Sequence, residues 1–425
     1  MIKEFIDNCI KNKEKDAFRY IKNNKVINKT YYQLLNDMYN FCEYFKNVGL
    51  NKKDKVVLFI MPSYELYCVM LAGLMYGLNI VVIDDFSSKQ KVELMVKNSV
   101  SKYVFVNHKT SLIATFLFKG LKKINIDKCI RYNTVYNFQA NQDKTQIVLT
   151  TFTSGTIGNC KLINRSFSDL EKQVKLIKDN FLINNDDVIV CMLPIYVLFS
   201  LFNGNTTCVL KKICENNLLK VNGNIILGKI ANILNVEEKM ESVEKLYLGG
   251  AYIYQDEANK ILRTFCNADI SYVYGASEGA IIGINKLSDY AVNKRFKFIK
   301  GINVEIIEEV NNVGEIVITG DSVLSNEHYH KTGDIGYIKE EYLYILGRKK
   351  YSSLADCFYN YVNDEVVRKK YNLSKAFSIW FNGREYIFYE GKKKIKGLTR
   401  VRKMPYDLKH KTKVDYKKVN DNYMK

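Results

Sequence analysis

The chain of 425 residues is long enough for two or three ordinary domains, or for one large domain and a small one. Its composition, with 47% apolar and 26% charged residues, is typical of a soluble globular protein and excludes a disordered chain. The net charge is +19, and residues 347–425 alone contain 21 basic and 8 acidic residues, a net charge of +13. The positive charge of this segment suits a polyanionic partner, although a lysine-rich, solvated surface explains the charge about as well. Nucleic-acid binding is disfavoured, because no nucleic-acid-binding motif accompanies the charge.

The cysteines and the first residues of the sequence indicate the cellular compartment of the protein. The ten cysteines are scattered and none form a C-x-x-C pair, so a structural zinc site is not predicted. The opening residues MIKEFIDNCIKNKEK carry charges where a secretory signal needs an apolar stretch, so we expect a cytoplasmic protein with free thiols. The apolar stretches 56–84 and 188–202 are too interrupted or too short to span a bilayer, so we expect no transmembrane segment.

The first half of the chain predicts helices and strands in alternation. Apolar residues at helical spacing from Leu34 to Phe45 predict a helix that begins near Thr30 and ends by Gly49. A second apolar helix is predicted over 64–77. Buried strands are predicted for the segments 56–60, 80–84, 102–106 and 146–150. Short apolar strands separated by helices indicate a mainly parallel, doubly wound α/β sheet.

The pattern changes towards the end of the chain. The segments VIVCML, NIILG and KLYLGG continue the buried strands between 186 and 250. From about residue 300, VEIIEEV, GEIVITG, IGYI and YLYILG are closely spaced strands, which predicts an antiparallel sheet or small β-barrel. The charge shifts after 346, so we expect a large N-terminal domain over 1–346 and a small α+β C-terminal domain over 347–425.

A loop rich in hydroxyls and glycine follows the predicted strand QIVLT. It reads TTFTSGTIGNCK and ends at Lys161. Glycines let backbone N–H groups approach phosphate oxygens, hydroxyls donate to them, and lysine adds positive charge. The loop is not a Walker A motif, because Leu162 stands where a magnesium-binding Ser or Thr is required. Alone, such a loop is more often ordinary turn chemistry.

Three further motifs follow in order: LGGA at 248–251, YVYGASEG at 272–279, and KTGDIG at 331–336 with LGRKK at 346–350. Together with the loop they resemble the core motifs of the adenylate-forming superfamily, which includes acyl-CoA synthetases, carrier-loading adenylation domains and firefly-type luciferases. The resemblance extends over nearly the whole chain. It implies an enzyme that uses ATP and Mg²⁺ to activate a carboxylic acid.

The resemblance also implies a role for individual residues. The phosphates of ATP would be bound by Thr153, Ser154, Gly155, Thr156, Gly158 and Lys161, with Thr153 also counted as catalytic. The nucleotide would also be bound by Gly250, Ala251, Tyr274, Gly275, Ser277, Asp334 and Arg348, with Arg348 at the ribose or the phosphates. In this set Tyr274 would stack on adenine, and Asp334 would accept hydrogen bonds from the ribose hydroxyls. Glu278 would bind the magnesium ion, which prefers hard oxygen ligands.

The C-terminal part of the resemblance supplies a catalytic lysine and a hinge. Lys413, or Lys411 as the alternative, would neutralise charge that builds up in the transition state. Lys350 stands at the hinge position, where Asp is usual. The sequence departs from the superfamily pattern at two places. Val197 stands where a His is usual. The segment YSSLADCFY contains no glycine, whereas the superfamily normally has one there, beside the thiol channel.

The functional hypothesis is an AMP-forming acid–thiol ligase. The substrate carboxylate would attack the α-phosphorus of ATP, pyrophosphate would leave, and the acyl group would pass to coenzyme A or to the phosphopantetheine of an acidic carrier protein. Tyr196, Val197 and Ala276 would contact the acid, and the apolar neighbourhood favours a fatty or aryl acid. The alternative is a catalytically degenerate ATP- or AMP-binding protein of the same fold.

Overall fold

A computed structural model describes residues 2–83, 89–129, 143–152, 161–276, 278, 280–324, 329–406 and 414–423. The chain divides into two units, Met1–Leu227 and Gly228–Lys425. The division into domains at 346/347 that the charge pattern suggests falls inside the second unit, and it stays a prediction.

The first unit contains helices in alternation with mainly parallel strands. Its helices are α1 (Ile2–Lys11), α2 (Tyr31–Asn47), α3 (Tyr64–Tyr76), α4 (Lys89–Ser99), α5 (Ser111–Leu117), α6 (Phe167–Asn180), α7 (Pro194–Phe202) and α8 (Glu215–Val221). Its strands are β1 (Asp16–Lys22), β2 (Lys25–Thr30), β3 (Lys55–Leu58), β4 (Asn79–Val82), β5 (Tyr103–Val106), β6 (Lys122–Asn125), β7 (Ile147–Phe152), β8 (Leu162–Ser166), β9 (Val188–Cys191), β10 (Thr206–Cys208) and β11 (Ile225–Lys229), which runs two residues past the unit boundary.

These strands form two arrays. One sheet has the order β6-β5-β3-β4-β7-β8, and all its neighbours are parallel except β7 and β8. In the other array β1, β10, β9 and β11 are parallel neighbours, and β2 pairs antiparallel with β1. The parallel arrangement predicted for the first half of the chain is therefore confirmed.

Local sequence explains where the first helices begin and end. The Thr30 side chain accepts a hydrogen bond from the Gln33 N–H, and the Gln33 side chain accepts one from the Thr30 N–H, so the two form a capping box for α2. Helix α3 begins after Ser63, whose hydroxyl accepts from the Leu66 N–H. It ends at Gly77, which has φ +92°, a conformation that glycine adopts without strain. The predicted limits of both helices are close to those observed.

The second unit is dominated by an antiparallel sheet. Its helices are α9 (Ile230–Ile233), α10 (Gln255–Thr264), α11 (Leu287–Asn293), α12 (Asn360–Tyr371) and α13 (Tyr416–Tyr423). Its strands are β12 (Lys245–Gly249), β13 (Asp269–Ala276), β14 (Ala280–Lys286), β15 (Arg295–Phe298), β16 (Asn303–Val310), β17 (Val313–Thr319), β18 (Tyr329–Lys339), β19 (Tyr342–Arg348), β20 (Ala376–Phe381), β21 (Arg384–Glu390) and β22 (Thr399–Val401). The order β16-β17-β18-β19-β15-β14-β13-β12 is antiparallel throughout except between β13 and β12. This confirms the antiparallel strands predicted from about residue 300, although the antiparallel pairing begins earlier, between β13 and β14.

The end of the chain has a small sheet of its own. Its order is β20-β21-β22, with a buried core in which the rings of Phe377 and Phe388 stack with centroids 4.8 Å apart. Helix α12 lies against β20, and Ser378 donates to the buried Asp364 carboxylate of α12 through both its hydroxyl, at 2.6 Å, and its N–H. This arrangement is the α+β structure predicted for the segment.

Among the described residues, no helix combines the length and the apolar character needed to cross a bilayer.

Candidate active site

Three strands of the second unit bring together Tyr274, Asp334 and Arg348. The Tyr274 hydroxyl, on β13, donates to Asp334 Oδ2 at 2.8 Å. Arg348 Nη1, on β19, donates to Asp334 Oδ1 at 2.8 Å. Asp334 and Arg348 are direct partners in the register of β18 and β19. The sequence analysis predicted all three as nucleotide-binding residues, and the fold places them in one cluster although they are up to 74 positions apart.

The backbone around Asp334 fixes the direction of its carboxylate. Thr332 Oγ1 accepts from the Asp334 N–H at 3.1 Å and donates to the Ile316 carbonyl at 2.9 Å. Arg348 Nη1 also donates to the Thr332 carbonyl at 3.2 Å. Between these residues Gly333 has φ +71°, a left-handed conformation in which any other side chain would be strained. The T-G-D sequence is therefore an irregular stretch of β18 that orients the Asp334 carboxylate.

The Asp334 carboxylate helps to keep its two neighbours protonated. Burial, followed by the negative charge of Asp334, raises the pKa of Tyr274 well above its usual value. The Asp334 charge is also the largest cause of the raised pKa of Arg348. Both side chains therefore remain hydrogen-bond donors over the whole physiological pH range. A carboxylate offers about four acceptor sites. Two of them are used here, which leaves capacity for two more hydroxyl donors.

A glycine-rich turn lies beside β13. The Tyr272 hydroxyl donates to the Ala251 carbonyl at 2.7 Å and so ties this turn to the strand that carries Tyr274. Gly250 has φ +96°, and a Cβ placed there would have no neighbour within 4 Å. Exposed backbone next to open space is what a planar ligand such as adenine needs. Gly275 is exposed and Ala276 is half-buried at the end of β13.

Glu278 is a buried carboxylate a few residues beyond Tyr274. It is 8% exposed, and its Oε2 lies 3.6 Å from Nε2 of His330 on β18. The Glu278 carbonyl accepts from the Leu324 N–H at 2.8 Å. A single carboxylate suits Mg²⁺, which usually completes its coordination with water and substrate phosphates. The residues therefore fit the predicted ion. The sequence analysis missed His330, although its position directly before the KTGDIG motif was a usable signal.

Helix α12 extends the cluster with residues that the sequence analysis did not identify. Asn360 Oδ1 accepts from the Arg348 N–H at 2.8 Å, and a Cβ on Gly347 would lie only 2.5 Å from the same oxygen, so only glycine fits there. The Tyr361 ring stacks on Tyr252, with centroids 4.3 Å apart and planes 22° from parallel. Burial and then the charge of Asp334 raise the pKa of Tyr361. The first turn of α12 therefore lies beside the predicted adenosine site. Lys350, the predicted hinge, is exposed in a short 3-10 helix over Lys349–Tyr351.

A buried arginine fixes α12 to α10. Arg368 Nη2 lies 2.9 Å from both carboxylate oxygens of Asp256 and 3.4 Å from Glu257 Oε1, and its guanidinium lies 3.9 Å from the centroid of the Tyr254 ring. We expect Arg368→Ala to lower the free energy of unfolding by about 2–3 kcal/mol, because it removes the ion pairs with Asp256 and Glu257 and the packing of the guanidinium on the Tyr254 ring. Urea unfolding measures this, with Lys369→Ala, the exposed neighbour on the same helix, as the control. Equal effects of the two substitutions would contradict the assignment.

Asp364, on the same helix, makes the stability of this contact depend on pH. It accepts from the Tyr254 hydroxyl at 2.7 Å, yet burial raises its pKa to about 7. The folded protein therefore binds a proton that the unfolded chain releases near pH 4. The stability that this proton contributes is complete below about pH 4 and is lost as the pH rises to about 7.

We therefore expect the wild type to lose stability relative to Asp364→Asn across that pH range, because an amide does not titrate. Urea unfolding at a series of pH values measures the difference. Parallel stability curves for the two proteins would show that Asp364 does not titrate in this way.

The remaining predicted residues are either outside the described part of the chain or in the first unit. Thr153, Ser154, Gly155, Thr156, Gly158, Ser277, Lys411 and Lys413 lie outside the described residues. In the first unit, Lys161 is exposed at the start of β8. On α7 of that unit, Val197 is fully buried, and Tyr196 packs its ring against Phe181 with centroids 6.2 Å apart.

Comparison with known proteins identifies the family. The family model for AMP-binding enzymes matches residues 5–326. The 2-succinylbenzoate–CoA ligase of Enterococcus faecalis is 20% identical over 360 residues, which cover 75% of this chain and 73% of that protein. In fold, the chain is similar to ATP-bound MatB from Rhodopseudomonas palustris (TM-score 0.83, 16% identity, 99% of each chain). It is also similar to the AMP complex of O-succinylbenzoate coenzyme A synthetase from Bacillus subtilis (TM-score 0.81, 15% identity, 95% of each chain).

The chain therefore belongs to the AMP-binding enzyme family. The family match and these relatives confirm the resemblance found in the sequence, the α/β fold class and the predicted class of protein, an AMP-forming acid–thiol ligase. The roles of the individual site residues stay predictions.

Proposed function

We propose that this enzyme uses ATP to convert a carboxylic acid into its acyl- or aryl-adenylate with release of pyrophosphate, and then transfers the acyl group to a phosphopantetheine thiol. The observation that carries the proposal is the Asp334 carboxylate, held by Tyr274 and Arg348 with two acceptor positions left. The 2′ and 3′ hydroxyls of a ribose are a matching pair of donors.

The nucleotide is positioned by this cluster and by the turn beside it. Adenine lies between the Tyr274 ring and the backbone of Gly250 and Ala251, in the open space next to Gly250. Arg348 adds positive charge on the side of Asp334 and so offsets the repulsion between that carboxylate and the phosphates. Because a substrate carboxylate is already nucleophilic, correct positioning and stabilisation of charge account for catalysis.

Glu278, the loop 153–161 and Lys413 are the residues proposed to act on the phosphates of ATP. The Glu278 carboxylate would hold Mg²⁺, which would supply positive charge to the phosphates of ATP. The loop 153–161 supplies backbone and hydroxyl donors to the departing phosphates, and Lys413 supplies a positive charge at the α-phosphate. Lys350 acts as the hinge about which residues 347–425 turn between the two half-reactions.

Two observations bear on the substrates. One relative is named for 2-succinylbenzoate, an aryl acid, and the buried Tyr196 and Val197 provide an apolar wall, so we favour an aryl or fatty acid. The same relative is named as a CoA ligase, which supports coenzyme A as the acceptor. An acidic carrier protein is the other candidate, because of the charge of +13 on residues 347–425. We place the enzyme in the cytoplasm, where ATP and coenzyme A are supplied.

ATP–pyrophosphate exchange over a panel of aryl, fatty and amino acids tests the proposal. We expect exchange with at least one aryl or fatty acid, dependent on Mg²⁺, and thioester formation when coenzyme A is added. ATP binding without exchange for any acid would instead identify a nucleotide-binding protein that has lost catalysis. Cys357 has φ +52° in the segment where glycine is usual, so the thiol step is the more vulnerable of the two half-reactions.

A further inference from the structure

A surface of the first unit remote in sequence from every predicted site residue combines exposed apolar side chains with unpaired positive charge. It is formed by α5 and the residues that flank it, within 89–129. Leu112, Ile113 and Phe116 are 72%, 53% and 62% exposed on one side of this short helix. Contiguous apolar side chains left in water usually mark a contact surface.

The opposite side of α5 explains why the helix is ordered. Ala114 is fully buried, and Phe118 just beyond the helix is 3% exposed; both pack into the core formed by β3, β4, β5 and α4. The helix is therefore held to the core on its Ala114 side, while Leu112, Ile113 and Phe116 form a second apolar face that is exposed. An exposed apolar face of this kind is ordinarily covered by protein or by lipid.

The surroundings of α5 are strongly basic. Residues 89–129 contain nine lysines and two acidic residues, Glu93 and Asp127, a net charge of +7. Asp127 is engaged by His108, whose N–H donates to it at 2.6 Å, and Glu93 pairs with Lys89. Within the described part of the chain, Lys109, Lys119 and Lys122 are exposed and have no carboxylate at salt-bridge distance.

We propose that α5 and its flanking lysines form a docking surface for an anionic lipid bilayer. Leu112, Ile113 and Phe116 insert among the lipid headgroups, and Lys109, Lys119 and Lys122 contact the lipid phosphates. The charge complementarity favours this occupant over a protein, because the apolar centre is small and its rim carries one sign of charge. The inference does not depend on the proposed reaction.

Vesicle sedimentation of the full chain tests this directly. We expect binding to vesicles in which about a third of the lipid is anionic phosphatidylglycerol, with little binding to phosphatidylcholine alone. Replacing Leu112, Ile113 and Phe116 by Ser should reduce partitioning at least about tenfold. Replacing Lys109, Lys119 and Lys122 by Glu should abolish the preference for anionic lipid, because each lysine contributes about fivefold.

A matched control variant distinguishes binding by this surface from non-specific binding by exposed apolar side chains. Leu182, Leu219 and Val292 are comparably exposed elsewhere, and their triple Ser variant should bind like the wild type. Thermal unfolding of each variant checks that it is folded. No binding of the wild type to anionic vesicles would overturn the proposal and leave a protein partner as the occupant. Binding that the Ser substitutions on α5 leave unchanged would also overturn it, because attraction by the overall charge of +19 would then suffice.

Discussion

Asp334→Asn should lower kcat/KM for ATP by about a hundredfold, equivalent to about 2.7 kcal/mol of lost stabilisation. The substitution keeps the size of the side chain but removes its charge and turns one acceptor into an NH₂ donor. That donor would face either the Tyr274 hydroxyl or the Arg348 guanidinium, both of which are donors in the structure. The substitution would also remove one of the two acceptors that the ribose hydroxyls require. Steady-state kinetics at varied ATP concentration measures the effect, which should appear mainly in KM.

The control for this prediction is Asp321→Asn. Asp321 is exposed in a turn of the same unit, so its substitution should leave kcat/KM within about twofold of the wild type. Thermal unfolding of both variants separates a local effect from loss of the fold. An Asp334→Asn enzyme that is folded and binds ATP normally would contradict the role assigned to this carboxylate.

Glu278→Gln should lower kcat for adenylation at least about a hundredfold while leaving the affinity for AMP nearly unchanged. An amide oxygen is a weaker ligand for Mg²⁺ than a carboxylate, and the ion is needed for the charge on the phosphates rather than for adenosine. The variant should also require a higher magnesium concentration for half-maximal rate. Pyrophosphate release at varied Mg²⁺ and calorimetric titration with AMP measure the two effects.

Glu309→Gln, at an exposed position on β16, is the matched control and should behave like the wild type. The neighbouring His330 provides a second check, because its Nε2 lies 3.6 Å from Glu278. If Glu278→Gln acted only by breaking the contact with His330, the affinity for AMP and the rate of adenylation would fall together. The magnesium concentration needed for half-maximal rate would then stay unchanged. Such an outcome would show that Glu278 does not bind the metal.

Much of the fold follows from local sequence signals. Thr30 and Gln33 define the start of α2, Ser63 and Gly77 define the limits of α3, and short apolar runs define the parallel strands. These signals are local, because caps and strand periodicity depend on residues a few positions apart. The closely spaced strands after residue 300 equally predicted antiparallel pairing, although this pairing already begins between β13 and β14.

The site was predictable only where its residues lie within short motifs. Tyr274, Asp334 and Arg348 were found in this way, and the fold joins them through adjacent strands. The contacts of Asn360 and Tyr361 were not predicted, because they depend on how α12 packs against distant segments. Cys357 shows a different limit: its left-handed φ keeps the backbone turn although the sequence offers no glycine there.

A crystal structure of the protein with AMP and magnesium tests the central claim most directly. We expect both ribose hydroxyls within hydrogen-bonding distance of the Asp334 carboxylate, with adenine between the Tyr274 ring and the Gly250–Ala251 backbone. A nucleotide bound elsewhere, with Asp334 still paired only to Tyr274 and Arg348, would mean that this cluster is a structural ion pair and that the adenosine site lies in another part of the molecule.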